Sequence, residues 1–270
     1  AHYNVYFNGN EAMKMGIQKI DKEVQEDYTK ILPVFKESLP KTEEKVSGDM
    51  TTAIEKGTKL IKFHSITTPP KKSKSKSKKK TTPKSEYNNW VDDAYMMIGK
   101  GYYYKKDFVM ASSTFQQIIR KYKNEPEKYN AYLWLIRCYS EMERYTEAQQ
   151  VIETLDGDNM FPEKLDGELA IVAADMHLKQ QHFDEAIHYL NIGIMNIKGN
   201  KRKTRYTFIL AQLYQETKKA ELALEAYKQV IRRRPEYEML FNARIKSAGV
   251  FTGEQSASKL RKDLKRMLKK

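Results

Sequence analysis

The run Gly99-Lys100-Gly101-Tyr102-Tyr103-Tyr104-Lys105-Lys106-Asp107-Phe108-Val109-Met110-Ala111-Ser112-Ser113-Thr114-Phe115 decides how this chain is read, because its key residues return downstream. Ala111 is followed by Ala148, Ala186 and Ala223, at intervals of 37, 38 and 37 residues. Twelve positions before the alanine stands a small residue in three of the four units: Gly99, Ala174 and Ala211. Nine positions before it stands an aromatic residue or histidine: Tyr102, Tyr139, His177 and Tyr214. Four positions after it stands a bulky apolar residue: Phe115, Ile152, Leu190 and Tyr227. The apolar spacing on both sides of each alanine is that of an amphipathic helix. The small residue on the first helix and the alanine on the second let the two helices approach closely, and the bulky residues fill the space between one pair and the next. A single pair cannot bury its own apolar face, so stacked pairs share a core.

This pattern of paired helices, with a tyrosine, an alanine, a phenylalanine and the closing Pro235, resembles the tetratricopeptide repeat. The resemblance implies an all-α fold, a right-handed α-solenoid of stacked helix pairs. The units fall near 92–125, 129–162, 167–200 and 204–237, with a C-terminal helix pair after them.

Working outward, residues 1–66 predict a degenerate, repeat-like helical pair. Gly9, Ala12, Met13, Gly16, Ile17 and Ile20 lie on the first helix, and Met50, Ala53, Ile54, Gly57, Leu60 and Ile61 on the second. Between them, Ile31-Leu32-Pro33-Val34 is broken by its proline and reads as extended or turn. Residues 67–85, with Pro69, Pro70, Pro83 and a run of lysine and serine, form a linker too poor in apolar surface to order itself. Residues 86–270 carry the array. Its last helix, Ser256–Lys270, has neither a glycine stop nor a polar cap, so the natural protein is expected to continue. The chain opens on Ala1 rather than methionine, and any signal peptide is expected to lie upstream.

The net charge is +14, but Lys71–Lys80 contributes +7 and Lys259–Lys270 contributes +6, so the body between them is close to neutral. The runs read first as a solvated linker and an exposed helix face, and second as contacts for nucleic acid or another anionic surface. Apolar residues make up 40% of the chain, and no run of 18 occurs, so no segment reads as membrane-spanning. The single cysteine, Cys138, sits in a first helix and reads as a buried small hydrophobe.

No catalytic constellation emerges. The chain lacks a glycine-rich phosphate loop ending in Lys-Ser/Thr, a Gly-x-Ser-x-Gly elbow and a His-Glu-x-x-His pair. His177, His182 and His188 are spaced by five and six, which suits no zinc site, and His177 stands at the aromatic position of its repeat, where a packed role is expected. Asp92 and Asp93 are adjacent and so point to different helix faces. No cofactor, metal or small-molecule substrate is predicted.

The candidate site is instead a partner groove. By the tetratricopeptide resemblance, first helices line the concave face. This places Lys100, Tyr103, Asn130, Leu133, Arg137, Asp175, Arg205, Phe208 and Gln212 there, a mixture that suits an extended peptide or a partner helix. The lysine and asparagine with which some family members clamp a chaperone tail are replaced here by Met96 and Lys100.

The opening Tyr3-Asn4-Val5-Tyr6-Phe7-Asn8-Gly9-Asn10-Glu11-Ala12, then Ile31-Leu32-Pro33-Val34, then Asp92-Asp93-Ala94-Tyr95 after the lysine-rich linker, and finally Phe241-Asn242-Ala243-Arg244-Ile245, look like the PorW/SprE-type lipoproteins of Bacteroidota. Those are outer-membrane tetratricopeptide lipoproteins facing the periplasm, associated with type IX secretion and gliding motility. The resemblance implies a lipidated cysteine upstream of Ala1, further repeats after Lys270, envelope proteins or peptides as partners, and a scaffold without catalytic residues. The alternative is a repeat protein that binds nucleic acid or an anionic surface through its two lysine-rich runs.

Overall fold

The computed structural model describes residues 2–68 and 86–250, and every regular element among them is helical. In chain order these are α1 (His2–Glu23), a 3-10 turn (Lys36–Ser38), α2 (Thr42–His64), α3 (Val91–Tyr104), α4 (Phe108–Lys121), α5 (Glu127–Glu141) and α6 (Tyr145–Asp156). A 3-10 turn (Glu163–Leu165) is followed by α7 (Asp166–Lys179), α8 (Phe183–Asn196), α9 (Asn200–Glu216), α10 (Ala220–Arg232) and α11 (Tyr237–Val250). The expected linker beyond Thr68, the helix at Ser256–Lys270 and the basic tail lie outside the described residues.

The chain forms two compact units. One comprises Ala1–Gln25 and Lys36–Pro162, and the other comprises Glu26–Phe35 and Glu163–Lys270. The boundaries expected at 1–66, 67–85 and 86–270 follow chain order, whereas these units follow packing. In the first unit α1 packs on α2, α2 on α3, and the pairs α3/α4 and α5/α6 continue the stack. The opening residues expected to lead into a helix are themselves helical from His2 onward, and the second helix starts at Thr42 rather than Asp49.

The recurring residues do what their spacing predicts. Ala111, Ala148, Ala186 and Ala223 have no exposed surface, and neither do Ala174 and Ala211. At Gly99 a Cβ would stand 2.6 Å from the Phe115 ring, so the missing side chain is what lets that ring pack against α3. Tyr139 accepts a hydrogen bond from Gln116 Nε2 (2.8 Å), and Tyr214 accepts one from Asn191 Nδ2 (3.1 Å). Each bond reaches back 23 residues, to the position five after the preceding repeat's alanine. His177 holds the same place by packing instead, with its ring stacked 5.3 Å from Tyr189. Cys138 is fully buried, and burial pushes its thiol up to about 12.

The turn inside each pair also repeats. Lys106, Glu143, Gln181 and Lys218, each five residues before its alanine, adopt left-handed backbone with φ of 58°, 58°, 60° and 58°. The next amide donates back to the carbonyl of the aromatic position. The bonds are Asp107 to Tyr102 (3.0 Å), Arg144 to Tyr139 (2.8 Å), His182 to His177 (2.9 Å) and Lys219 to Tyr214 (2.8 Å). This is the Schellman closure of a helix C-terminus, here made without glycine. The same donor residue's carbonyl then accepts the amide of the repeat alanine, so the turn caps one helix and starts the next.

Candidate peptide groove and the segment it holds

The second unit contains an extended segment, Glu26–Phe35, lying on the first-helix face of α9. Pro33 forbids helix here, and the segment's one local fold is a turn at its start. Asp27 Oδ1 accepts from the Thr29 amide (3.0 Å) and hydroxyl (2.6 Å). The Thr29 contacts and nearby lysines hold the Asp27 carboxyl below its usual range.

Three side chains of α9, spaced over two helical turns, take the segment. Gln212 reads the backbone twice: its Oε1 accepts from the Leu32 amide (3.0 Å), and its Nε2 donates to the Lys30 carbonyl (2.6 Å). Arg205 donates through Nη1 to Glu26 Oε2 (2.6 Å), through Nη2 to the Pro33 carbonyl (2.8 Å) and through Nε to the Val34 carbonyl (3.4 Å). Phe208 meets Tyr28 edge-on, with centroids 5.4 Å apart. Burial beside Glu26 pushes the Tyr28 phenol up to about 12. Leu32 and Val34 are each 1% exposed and join the apolar core of this unit with Ile171, Ala174 and Ile209. The Glu26 side chain is 7% exposed and that of Arg205 16%, so this ion pair is largely shielded from water. Charge-assisted contacts of this kind gain in strength from shielding.

The first unit uses its first-helix face differently. Arg137 of α5 packs against the edge-to-face rings of Trp134 (4.0 Å) and Tyr103 (4.6 Å) and donates to Glu37 Oε1 (2.5 Å). Tyr103 donates its hydroxyl to Glu141 (3.1 Å), and Ser38 donates to the same carboxylate. Lys100 rests over the Trp134 ring at 5.3 Å. Burial, with Arg137 nearby, lowers its pKa.

Of the nine positions expected on the concave face, Arg205, Phe208 and Gln212 converge on Glu26–Phe35, while Lys100, Tyr103 and Arg137 converge around Trp134. Leu133 is buried, Asn130 is exposed, and Asp175 is buried and paired with Lys179 within α7. Sequence reasoning did not anticipate the residues on the other side of these contacts: Glu26, Tyr28, Leu32, Val34 and Glu37. One signal was available. The connection from α1 to α2 spans residues 24–41, far more than the roughly 2–8 residues that two neighbouring helices need.

Lys100, Arg137, Asp175 and Gln212 all stand eleven residues before their repeat alanine. This position on each first helix is therefore set by the same register as the core. Family models described as tetratricopeptide repeat match residues 93–124 and 205–237. The array is built of tetratricopeptide repeats. Its all-helical pairs form an α-solenoid of that class. Among solved structures, the chain is similar to BtubC (BKLC) from P. vanneervenii. The identity is 16%, the TM-score is 0.54, and the match covers 83% of this chain and 90% of that one. It is also similar to a chain of the APC/C hetero-tetramer Cut9-Hcn1, at 10% identity and a TM-score of 0.49, over 96% of this chain and 46% of that one. The first likeness is one of fold alone. No curated protein matches the sequence.

Proposed function

We propose that this protein is a non-catalytic interaction scaffold whose tetratricopeptide units hold extended peptide segments of other proteins. The observation that carries this reading is the α9 face, where Arg205, Phe208 and Gln212 grip an extended segment largely through its backbone carbonyls and amide. A surface that reads backbone in this way has the recognition chemistry of a peptide-binding groove. Among the described residues no three His, Cys, Asp or Glu side chains are placed to hold a metal, and no helix is long and apolar enough to cross a membrane.

The likeness of the opening and closing residues to PorW/SprE-type lipoproteins supports a finer reading. In it, the scaffold is a lipid-anchored component of the outer membrane, faces the periplasm, serves type IX secretion and binds envelope proteins. The partner face in this reading comprises Lys100, Tyr103, Asn130, Leu133, Arg137, Asp175, Arg205, Phe208 and Gln212. Affinity capture from envelope extracts tests it. Recovery of secretion or outer-membrane components is expected, whereas recovery of only ribosomal or other unrelated proteins contradicts it.

A further inference from the structure

The connection between α1 and α2 is longer than its task requires. The two helices pack directly on each other, and a short loop would join them. Instead residues 24–41 intervene, and ten of them, Glu26–Phe35, belong to the packing of the second unit. The segment is neither helix nor strand, and its only internal backbone bond runs from the Lys30 amide to the Asp27 carbonyl (3.2 Å). What holds it in place is the groove. The chain has been given spare length that serves α9.

The contacts divide into two kinds. Gln212 and the Nη2 and Nε groups of Arg205 take the Lys30, Pro33 and Val34 carbonyls and the Leu32 amide, which any extended peptide offers. The remaining contacts specify sequence. Glu26 meets Arg205, the Tyr28 ring meets Phe208, and Leu32 and Val34 fill the core on either side of Pro33. Counted from the acid, the aromatic stands at +2, an apolar residue at +6, proline at +7 and an apolar residue at +8.

We infer that the α9 groove is an exchangeable site for a partner protein's extended segment of this composition, an acid, an aromatic two residues on and an apolar-Pro-apolar triplet six residues on, and that Glu26–Phe35 is its tethered occupant. The inference deepens the scaffold reading, on which it rests, by stating which peptides the groove takes. A tethered occupant competes at an effective concentration of about millimolar. A partner must therefore match or exceed its contacts, and the groove discriminates against peptides lacking the acid or the aromatic.

The test uses the full chain and a fluorescein-labelled synthetic peptide of residues 24–37, followed by fluorescence anisotropy. Two variants weaken the occupant: Glu26→Ala with Tyr28→Ala, and replacement of residues 26–35 by a Gly/Ser sequence of equal length. Both should bind the peptide at least tenfold more tightly than the wild-type chain. Adding Arg205→Ala should abolish that gain, and a peptide carrying Glu26→Lys should not bind. No binding to either variant, with helical circular dichroism retained, would overturn the inference. A variant dimer that the peptide cannot dissociate would overturn it in favour of exchange between two copies. Peptide binding can fail while envelope capture succeeds, so this result and the broader scaffold reading are separable.

Discussion

The faces of α5 and α9 carry the same repeat position, eleven residues before the alanine, and put it to opposite uses. Arg137 on α5 grips a side chain, the Glu37 carboxylate, and itself packs against the Tyr103 and Trp134 rings. Gln212 on α9 grips backbone, and the charge needed to fix the segment's identity comes from Arg205, two turns earlier. One slot of the repeat thus holds a carboxylate in one unit and a stretch of backbone in the other. This follows from the separation of tasks in a solenoid, where core positions set the stack and leave the inner face free to vary.

The comparison breaks most visibly at Arg205. Arg205→Ala strips the partner from a largely buried Glu26 and frees two carbonyls, and removing one member of such a pair costs about 3–5 kcal/mol. Chemical denaturation should show that loss, and Glu26→Gln in the same chain should restore part of it. On the other face, Arg137→Ala leaves Glu37 without its guanidinium and removes the cation that packs on the edge-to-face Tyr103 and Trp134 rings. Its expected cost is about 3 kcal/mol, measured the same way. Because Gln212 is uncharged, Gln212→Arg sharpens the contrast. It should fail to replace the backbone pair, whereas Arg137→Lys should keep the charge and lose the stacking.

Two smaller effects test the scaffold beneath both faces. Burial, with Asp93 next to it, pushes the Asp92 carboxyl up to about 6. A raised folded-state value means the folded chain favours the protonated form. That contribution is fully present below the ordinary aspartate range and is lost as pH rises through about 6. Asp92→Asn should therefore stabilise the protein by about 1 kcal/mol at pH 7, after allowance for solvent screening, and flatten the stability profile between about pH 4 and 6. Lys218→Gly relieves a left-handed residue at an exposed turn and should stabilise by about 0.5 kcal/mol in thermal melts.

Most of the fold was legible in the sequence because it rests on small and bulky residues at fixed spacing. Ala111, Ala148, Ala186 and Ala223 announce the helix pairs, and their complete burial is what the spacing requires. That Arg205, Phe208 and Gln212 share one first helix, α9, was legible in the register of the repeat. What they hold was not. Pro33 marks Ile31–Val34 as non-helical, but nothing local in that run states that its contacts lie about 180 residues away. The turn residues were hidden for another reason: Lys106, Glu143, Gln181 and Lys218 adopt a backbone that glycine would have advertised.

The central claim is that α9 holds Glu26–Phe35 as a groove holds a peptide, and the Leu32 amide reports on it directly, because its hydrogen-bond acceptor is the side chain of Gln212. Native-state hydrogen exchange of the wild type and Gln212→Ala measures it. The Leu32 amide should be protected in the wild type. In Gln212→Ala it should lose protection by about tenfold or more, as a lost hydrogen bond of about 1–3 kcal/mol requires, while the amides of α9 stay protected. Free exchange at Leu32 in the wild type, or protection unchanged by Gln212→Ala, would contradict the account.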